Sequence, residues 1–216
     1  MPLAFEVQER WIVVGAGRFA RELINWAADA ADLGRSPPVS GFLDDSAAAL
    51  DKFDYGLDYR GTIEDYQPQA HERLLMAIGD PLEKRRVGQL LKARGARFAT
   101  LVHPSAVVAR SARLGDGVVV CPHAVVSADA TLGELVAVNA LCGVGHDVVV
   151  GAWSTLSAQV DLTGAVQVGE CCFFGSGARV LPNITVGAEA RIGAGAVVMR
   201  KVAAGAVMYA APARKL

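Results

Sequence analysis

Seventeen consecutive positions spaced six apart, from Val102 to Val198, hold only Val, Leu, Ile or Phe. A helix of 3.6 residues per turn cannot keep every sixth residue on one face, and an ordinary strand alternates with period two. What remains is a solenoid of very short strands joined by corners, each turn stacked on the last. A second period rides on the first: Leu114, Leu132, Val150, Val168 and Val186 lie eighteen apart, and each is followed by glycine. Three hexads therefore make one triangular coil, with glycine expected at one corner to supply the backbone angles of a tight turn. Four residues past most of the apolar positions stand small ones, including Ala106, Ala124, Cys142, Ser154 and Cys172. Small side chains suit the narrow inside of a three-sided prism.

The residues before the repeat carry a different pattern. Trp11–Val14 is a short apolar run, and Arg21–Leu33 has helical spacing in Leu23, Trp26, Ala27 and Ala30. Val39–Leu43 reads as a strand, Thr62–Gln67 as a short helix, Leu74–Ile78 as a strand, Pro81–Gly95 as a charged helix and Phe98–Val102 as a closing strand. Alternating strands and helices imply a small parallel sheet, an α/β N-terminal domain of Rossmann-like design. The expected division is residues 1–101 for that domain, 102–203 for an all-β coil domain and 204–216 for a C-terminal tail.

Gly15-Ala-Gly17-Arg18-Phe-Ala20 follows the first strand and opens the first helix, which is the arrangement that lets backbone amides approach a phosphate. A dinucleotide needs two mononucleotide halves, and only about a hundred residues precede the coils, so one nucleotide diphosphate fits better than NAD. A glycine turn with no ligand is the alternative. Asp44 and Asp45 end a strand, where they could accept hydrogen bonds from a base, a ribose or a sugar amine.

Composition narrows the classes. Lysine and arginine number 21 against 22 acidic residues, a formal net charge of −1, which makes no case for a nucleic-acid partner or an anionic membrane. Met1–Arg10 lacks the basic start and apolar core of a signal peptide, so the expected location is cytoplasmic, without membrane insertion. Hydrophobic residues make up 52% of the chain and mean hydropathy is +0.32, which implies apolar surface left for a partner, in the first instance further copies of itself. The four cysteines follow no metal or disulfide spacing and read as reduced packing residues.

The periodic stretch resembles the left-handed parallel β-helix of the hexapeptide-repeat acyltransferases. The whole chain is similar to the sialic acid O-acetyltransferase family, which includes N-acetyltransferases of nucleotide-linked amino sugars. The residues that carry the likeness, in order, are Gly15-Ala-Gly17, Gly41-Phe-Leu-Asp44-Asp45, Ala77-Ile-Gly79, Val102-His-Pro-Ser-Ala106, Val144-Gly-His146-Asp147 and Ala211-Pro-Ala-Arg214.

That resemblance implies an acetyl-CoA-dependent acetyltransferase of surface-polysaccharide sugars, a homotrimer with a sugar or nucleotide-sugar acceptor and no metal. His146 would be the general base, apt because imidazole titrates near working pH, with Asp147 holding its tautomer. Gly164, eighteen residues on, would stack beside His146 and offer its amide to the thioester oxygen; a plain corner glycine is the alternative. Gly175, Ser176, Ala194 and Gly195 would line the cofactor groove between subunits, unless they are only coil corners, and Arg214 would meet a phosphate. Gly15, Gly17, Arg18, Asp44, Asp45, Gly79 and Asn139 would hold the acceptor, although Asn139 could instead cap a corner. Two departures leave the acceptor, and N- versus O-acetylation, open: Arg18-Phe19 replaces the Gly-His of many nucleotide-sugar members, and Thr155 stands where several N-acetyltransferases have a second histidine. A γ-type carbonic anhydrase would need three histidines around zinc, and His103, His123 and His146 fall on different coil registers. A non-catalytic nucleotide-binding scaffold is the remaining alternative.

Overall fold

The computed structural model describes residues 9–211. Expectations resting on residues 1–8, and on Arg214 with the rest of 212–216, lie outside the described residues. From Leu101 onward the chain is a parallel β-solenoid of two-residue strands, one to each hexad. A first face stacks seven strands, from Leu101–Val102 to Val207–Met208. A second stacks six, from Val107–Val108 to Val197–Val198, and a third stacks five, from Arg113–Leu114 to Thr185–Val186. Neighbours on each face are eighteen residues apart, as in Ala137↔Thr155↔Phe173.

All seventeen periodic side chains point into one continuous core, and the small residues Ala106, Ala124, Cys142 and Cys172 pack with them. The inside of the prism is therefore filled as the period demands. After Val198 the spacing slips: Val186 pairs with Val202 and Arg191 with Val207, each sixteen residues apart. Strand Val207–Met208 thus continues the first face beyond residue 203, the expected end of the coil domain.

The recurrent corner glycines serve a different purpose from the one expected. Gly115, Gly133, Gly151, Gly169 and Gly187 are not among the residues with positive φ. A Cβ on Gly133 would lie 2.6 Å from the Ala152 nitrogen, and one on Gly151 would lie 2.5 Å from the Glu170 nitrogen. Close approach of successive coils, not left-handed backbone, excludes a side chain there. The left-handed position is instead two residues further on and is filled by ordinary residues such as Leu135, Trp153, Cys171 and Glu189.

Before the solenoid lie four parallel strands, β1 (Arg10–Val14), β2 (Val39–Leu43), β3 (Asp58–Tyr59) and β4 (Glu72–Met76), in the order β3-β2-β1-β4. Helices α1 (Arg18–Asp32) and α2 (Pro81–Ala93) accompany them. Thr62–Gln67 is not a helix. Thr62 Oγ1 accepts from the Asp65 amide in a local turn, and Pro68 keeps Gln67 from the helical region. The expected closing strand divides: Phe98 bridges to Leu74 of β4, while Leu101–Val102 is already the first rung of the solenoid.

Among the described residues only the first face is covered. Its outward residues Val119, Ala137 and Thr155 are buried, whereas Val107, Val125 and Val197 on the second face are exposed. The cover is α1 and α2, whose apolar sides join the outer surface of the first face in two further clusters. On α2, a Cβ at Gly88 would overlap the Trp153 ring. That glycine lets the helix settle directly onto the coil.

Candidate active site

His146 and Asp147 follow strand Gly143–Val144 at the edge between the second and third faces. Their backbone is held on both sides, since the Asp147 amide donates to Ala128 O at 3.1 Å and the Ala165 amide to His146 O at 2.8 Å. The side chains project into solvent, 69% and 62% exposed, joined by a 2.8 Å contact between His146 Nδ1 and Asp147 Oδ2. An ionised carboxylate only accepts, so the shared proton sits on Nδ1 and the lone pair on Nε2. Such a ring can take a proton.

Gly164 lies directly under that ring. A Cβ there would fall 2.5 Å from Nε2. At the equivalent corner of other hexads stand Ala152, Ala158, Glu170, Pro182 and Ala188, so coil geometry alone does not demand glycine. The imidazole does. Among the described residues the Gly164 amide donates no hydrogen bond, while its carbonyl accepts from Asn183.

A second constellation forms where α1 meets the edge between the first and second faces. A cleft of about 250 Å³ is walled by Arg18, Phe19 and Glu22 of α1, by Gly79, and by Asn139 and Thr155 of the solenoid. Three of these, Arg18, Gly79 and Asn139, were expected in the acceptor site. Thr155 was marked only as the position where several N-acetyltransferases have a second histidine, and Glu22 had no motif to mark it. Asn139 Oδ1 caps the following Ala140 amide at 2.6 Å, which leaves the side-chain NH2 as its free donor. A Cβ on Gly17 or Gly79 would meet nothing within 4 Å, so space stands open above both.

Asp44 is turned to the glycine-rich loop. Its Oδ2 accepts from the Ala16 amide at 2.8 Å and its Oδ1 from Ser46 at 3.0 Å, while Gly15, at φ +85°, donates to Leu43 O. One amide of the expected phosphate cradle is therefore already taken by a carboxylate of the chain itself. Asp45 is exposed.

Lys84 is the feature that sequence patterning missed. This α2 lysine is only 1% exposed, and its Nζ donates to Ser154 O at 3.1 Å and Thr155 Oγ1 at 2.8 Å. Burial pushes its pKa down to about 7, against the opposing pull of Cys171 and Asp80.

Residues 165–200 match the family model described as bacterial transferase hexapeptide (six repeats). Over nearly the whole length the fold matches solved sugar-acetyltransferase structures. PerB from Caulobacter crescentus, in complex with CoA and GDP-perosamine, is 32% identical with a TM-score of 0.83, covering 97% of each chain. The acetyltransferase domain of PglB from Neisseria gonorrhoeae FA1090 is 30% identical with a TM-score of 0.83, over 97% of this chain and 100% of that one. The chain belongs to the hexapeptide-repeat sugar acyltransferases. WeeI from Acinetobacter baumannii AYE, at 23% identity and a TM-score of 0.83, shares the fold. No curated protein sequence matches the chain.

In this acyltransferase the other expected positions form one line. Gly175-Ser176 and Ala194-Gly195 stack on the same edge as Asn139, where the Gly195 amide donates to Ser176 O at 2.9 Å. Coil geometry accounts for both glycines: a Cβ on Gly175 would lie 2.5 Å from the Ala194 nitrogen, and Gly195 has φ +67°. Ser176, Ala194 and Gly195 are exposed, and nothing lies within 4 Å above Gly195, so the strip is open. His146 and Gly164 stand on the next edge. Within one chain the second face separates them from the cleft.

All four cysteines are buried and free. Burial raises the thiol of Cys142 to about 11, and it is spent on Ser157 O at 3.0 Å. His103 is buried between Ser105 and Asp29, 2.8 and 3.1 Å away, at the start of the solenoid. Among the described residues no three His, Cys, Asp or Glu side chains cluster as a metal site, and no helix is long and apolar enough to cross a membrane.

Proposed function

We propose that this acyltransferase moves an acetyl group from acetyl-CoA to an amino or hydroxyl group of a nucleotide-linked sugar, with His146 as general base and both substrates bound together. The observation that carries the reading is the His146 ring, solvent-facing, with Nδ1 on Asp147 and Nε2 free above Gly164. The relatives solved with CoA and GDP-perosamine support the same donor and acceptor class.

Acetyl-CoA supplies the acyl group as an activated thioester. His146 Nε2 takes the proton of the attacking sugar group, and Asp147 steadies the imidazolium that results. The free Gly164 amide donates to the carbonyl oxygen as negative charge gathers there, a contribution typically worth about 3–4 kcal/mol. His146 then returns its proton to the departing sulfur. Direct transfer is favoured because every thiol is buried, which leaves no cysteine to carry the acyl group.

We read the chain as a homotrimer of left-handed coils. The exposed Val107, Val125 and Val197 of the second face suit an interface about a three-fold axis. That packing brings the His146 edge of one copy against the cleft edge of its neighbour, which joins two constellations that stay apart in a single chain. The open strip at Ser176, Ala194 and Gly195 then runs along the intersubunit groove as the donor's track, and Arg214 stays the proposed phosphate partner. The parallel sheet of residues 1–101 acts as a Rossmann-like acceptor-binding domain, with Gly15, Gly17, Arg18, Asp44, Asp45 and Gly79 around the nucleotide sugar and Asn139 opposite. The setting is cytoplasmic sugar metabolism for surface polysaccharide.

The test is thiol release from acetyl-CoA with UDP-, GDP- and CMP-linked amino and hydroxy sugars, alongside the mass in solution. Turnover by at least one sugar, lost in His146→Ala, is expected, with a trimeric mass. Absence of thiol release with every sugar would return the chain to a non-catalytic scaffold.

A further inference from the structure

Lys84 sits one helical turn before Gly88, on the same side of α2. Because Gly88 has no side chain, the helix rests on Trp153, and that approach carries the lysine ammonium to Ser154 O and Thr155 Oγ1. No carboxylate pairs with it among the described residues. Asp80, at the head of α2, is bonded to Arg191 and to the amides of Leu82 and Glu83. A buried cation without a counter-ion is destabilising beside an apolar residue of similar volume. Stability does not explain Lys84.

What the lysine touches is a wall of the acceptor cleft. Thr155 lines it together with Arg18, Glu22 and Asn139. In its charged form, which prevails below neutral pH, Lys84 has three donors and no acceptor, and the Ser154 carbonyl can only accept. Thr155 Oγ1 therefore receives the lysine N–H, and its own O–H has no acceptor among the described residues.

We propose that Lys84 is a positioning residue that turns the Thr155 hydroxyl into a committed hydrogen-bond donor in the cleft, so that Thr155 selects an acceptor sugar presenting an oxygen lone pair at that point. The inference rests on the nucleotide-sugar reading above and deepens it. A sugar hydroxyl or carbonyl oxygen satisfies the donor; a protonated amine there would leave two donors facing each other, which a buried polar site rejects. The amine or hydroxyl to be acetylated must then point away from Thr155, toward the neighbouring edge.

Binding of GDP-perosamine, UDP-N-acetylglucosamine and CMP-N-acetylneuraminate is measured by calorimetry at pH 6, where Lys84 is charged, with thiol-release kinetics in parallel. For the tightest of the three, Thr155→Val should weaken affinity about tenfold, and Thr155→Ser should restore it. Lys84→Met should weaken it comparably and add nothing on top of Thr155→Val, a coupling that a merely structural role would not produce. The loss should appear in the KM for the sugar and not in the KM for acetyl-CoA. Unchanged affinity in Thr155→Val, or additive losses in the double variant, overturns the proposal. Tight binding with no thiol release in the wild type sinks the transferase reading and leaves this contact standing. Binding of none of the three overturns both.

Discussion

The Nε2 of His146 and the α-carbon of Gly164 are packed so closely that a single methyl group on the glycine would lie 2.5 Å from the ring nitrogen. Gly164→Ala should therefore push the imidazole off its seat without disturbing the coil, since alanine occupies the same corner at Ala152, Ala158 and Ala188. Activity is expected to fall about 10²-fold or more, while circular dichroism and melting stay near wild type. Equal turnover in the variant would show that the ring's position over Gly164 is irrelevant.

Removing the imidazole itself should be costlier. His146→Ala is expected to lose about 10²–10⁴ in kcat. Asp147→Asn keeps the shape but can no longer fix the proton on Nδ1, so it should reduce kcat by at least about tenfold with little change in KM for either substrate. Steady-state kinetics of the two variants against wild type provide the check.

Corner glycines should separate by cause. Gly151→Ala forces a Cβ to 2.5 Å from the Glu170 nitrogen and is expected to cost about 1–3 kcal/mol in urea unfolding, although its φ suits any residue. Gly17→Ala meets open space and should leave stability within about 0.5 kcal/mol of wild type, while weakening any ligand that uses the room above the loop. Equal losses in both would contradict the close-stacking account.

Lys84 ties stability to pH. Its folded pKa is about 7 against the usual 10.5, so between those values the unfolded chain binds more protons than the folded one. Stability must then rise with pH across that window, as the folded lysine sheds its charge. At about 1.4 kcal/mol per unit the full span approaches 5 kcal/mol. Lys84→Met should be more stable than wild type near pH 6, and the gap should close by pH 10. A gap that stays constant with pH would mean that the lysine titrates normally.

The core of the solenoid was legible because its constraint is local and repeated. Each of the seventeen positions meets the same neighbours eighteen residues away, so one rule written in the sequence serves every coil. His146 and Asp147 were picked out by the family resemblance, and the same arithmetic then placed Gly164 one coil beyond the histidine. The glycine after Leu132 or Val150 was seen for the same reason, yet its purpose was misread, because φ is invisible in a one-letter string while a collision with the next coil requires coordinates. The helix expected at Thr62–Gln67 failed on a following proline and a local turn.

By itself, the order of residues determined the three-sided coil, its inward register and the pairing of an imidazole with a bare glycine one coil away, because period alone sets those distances. Tertiary structure decided which face is covered, how α1 closes a cleft over Asn139 and Thr155, and that Lys84 reaches Thr155 across 71 positions of sequence. Helix-on-coil packing follows no period. It depends on shape, on one glycine at position 88 that admits Trp153, and only folding brings those surfaces together.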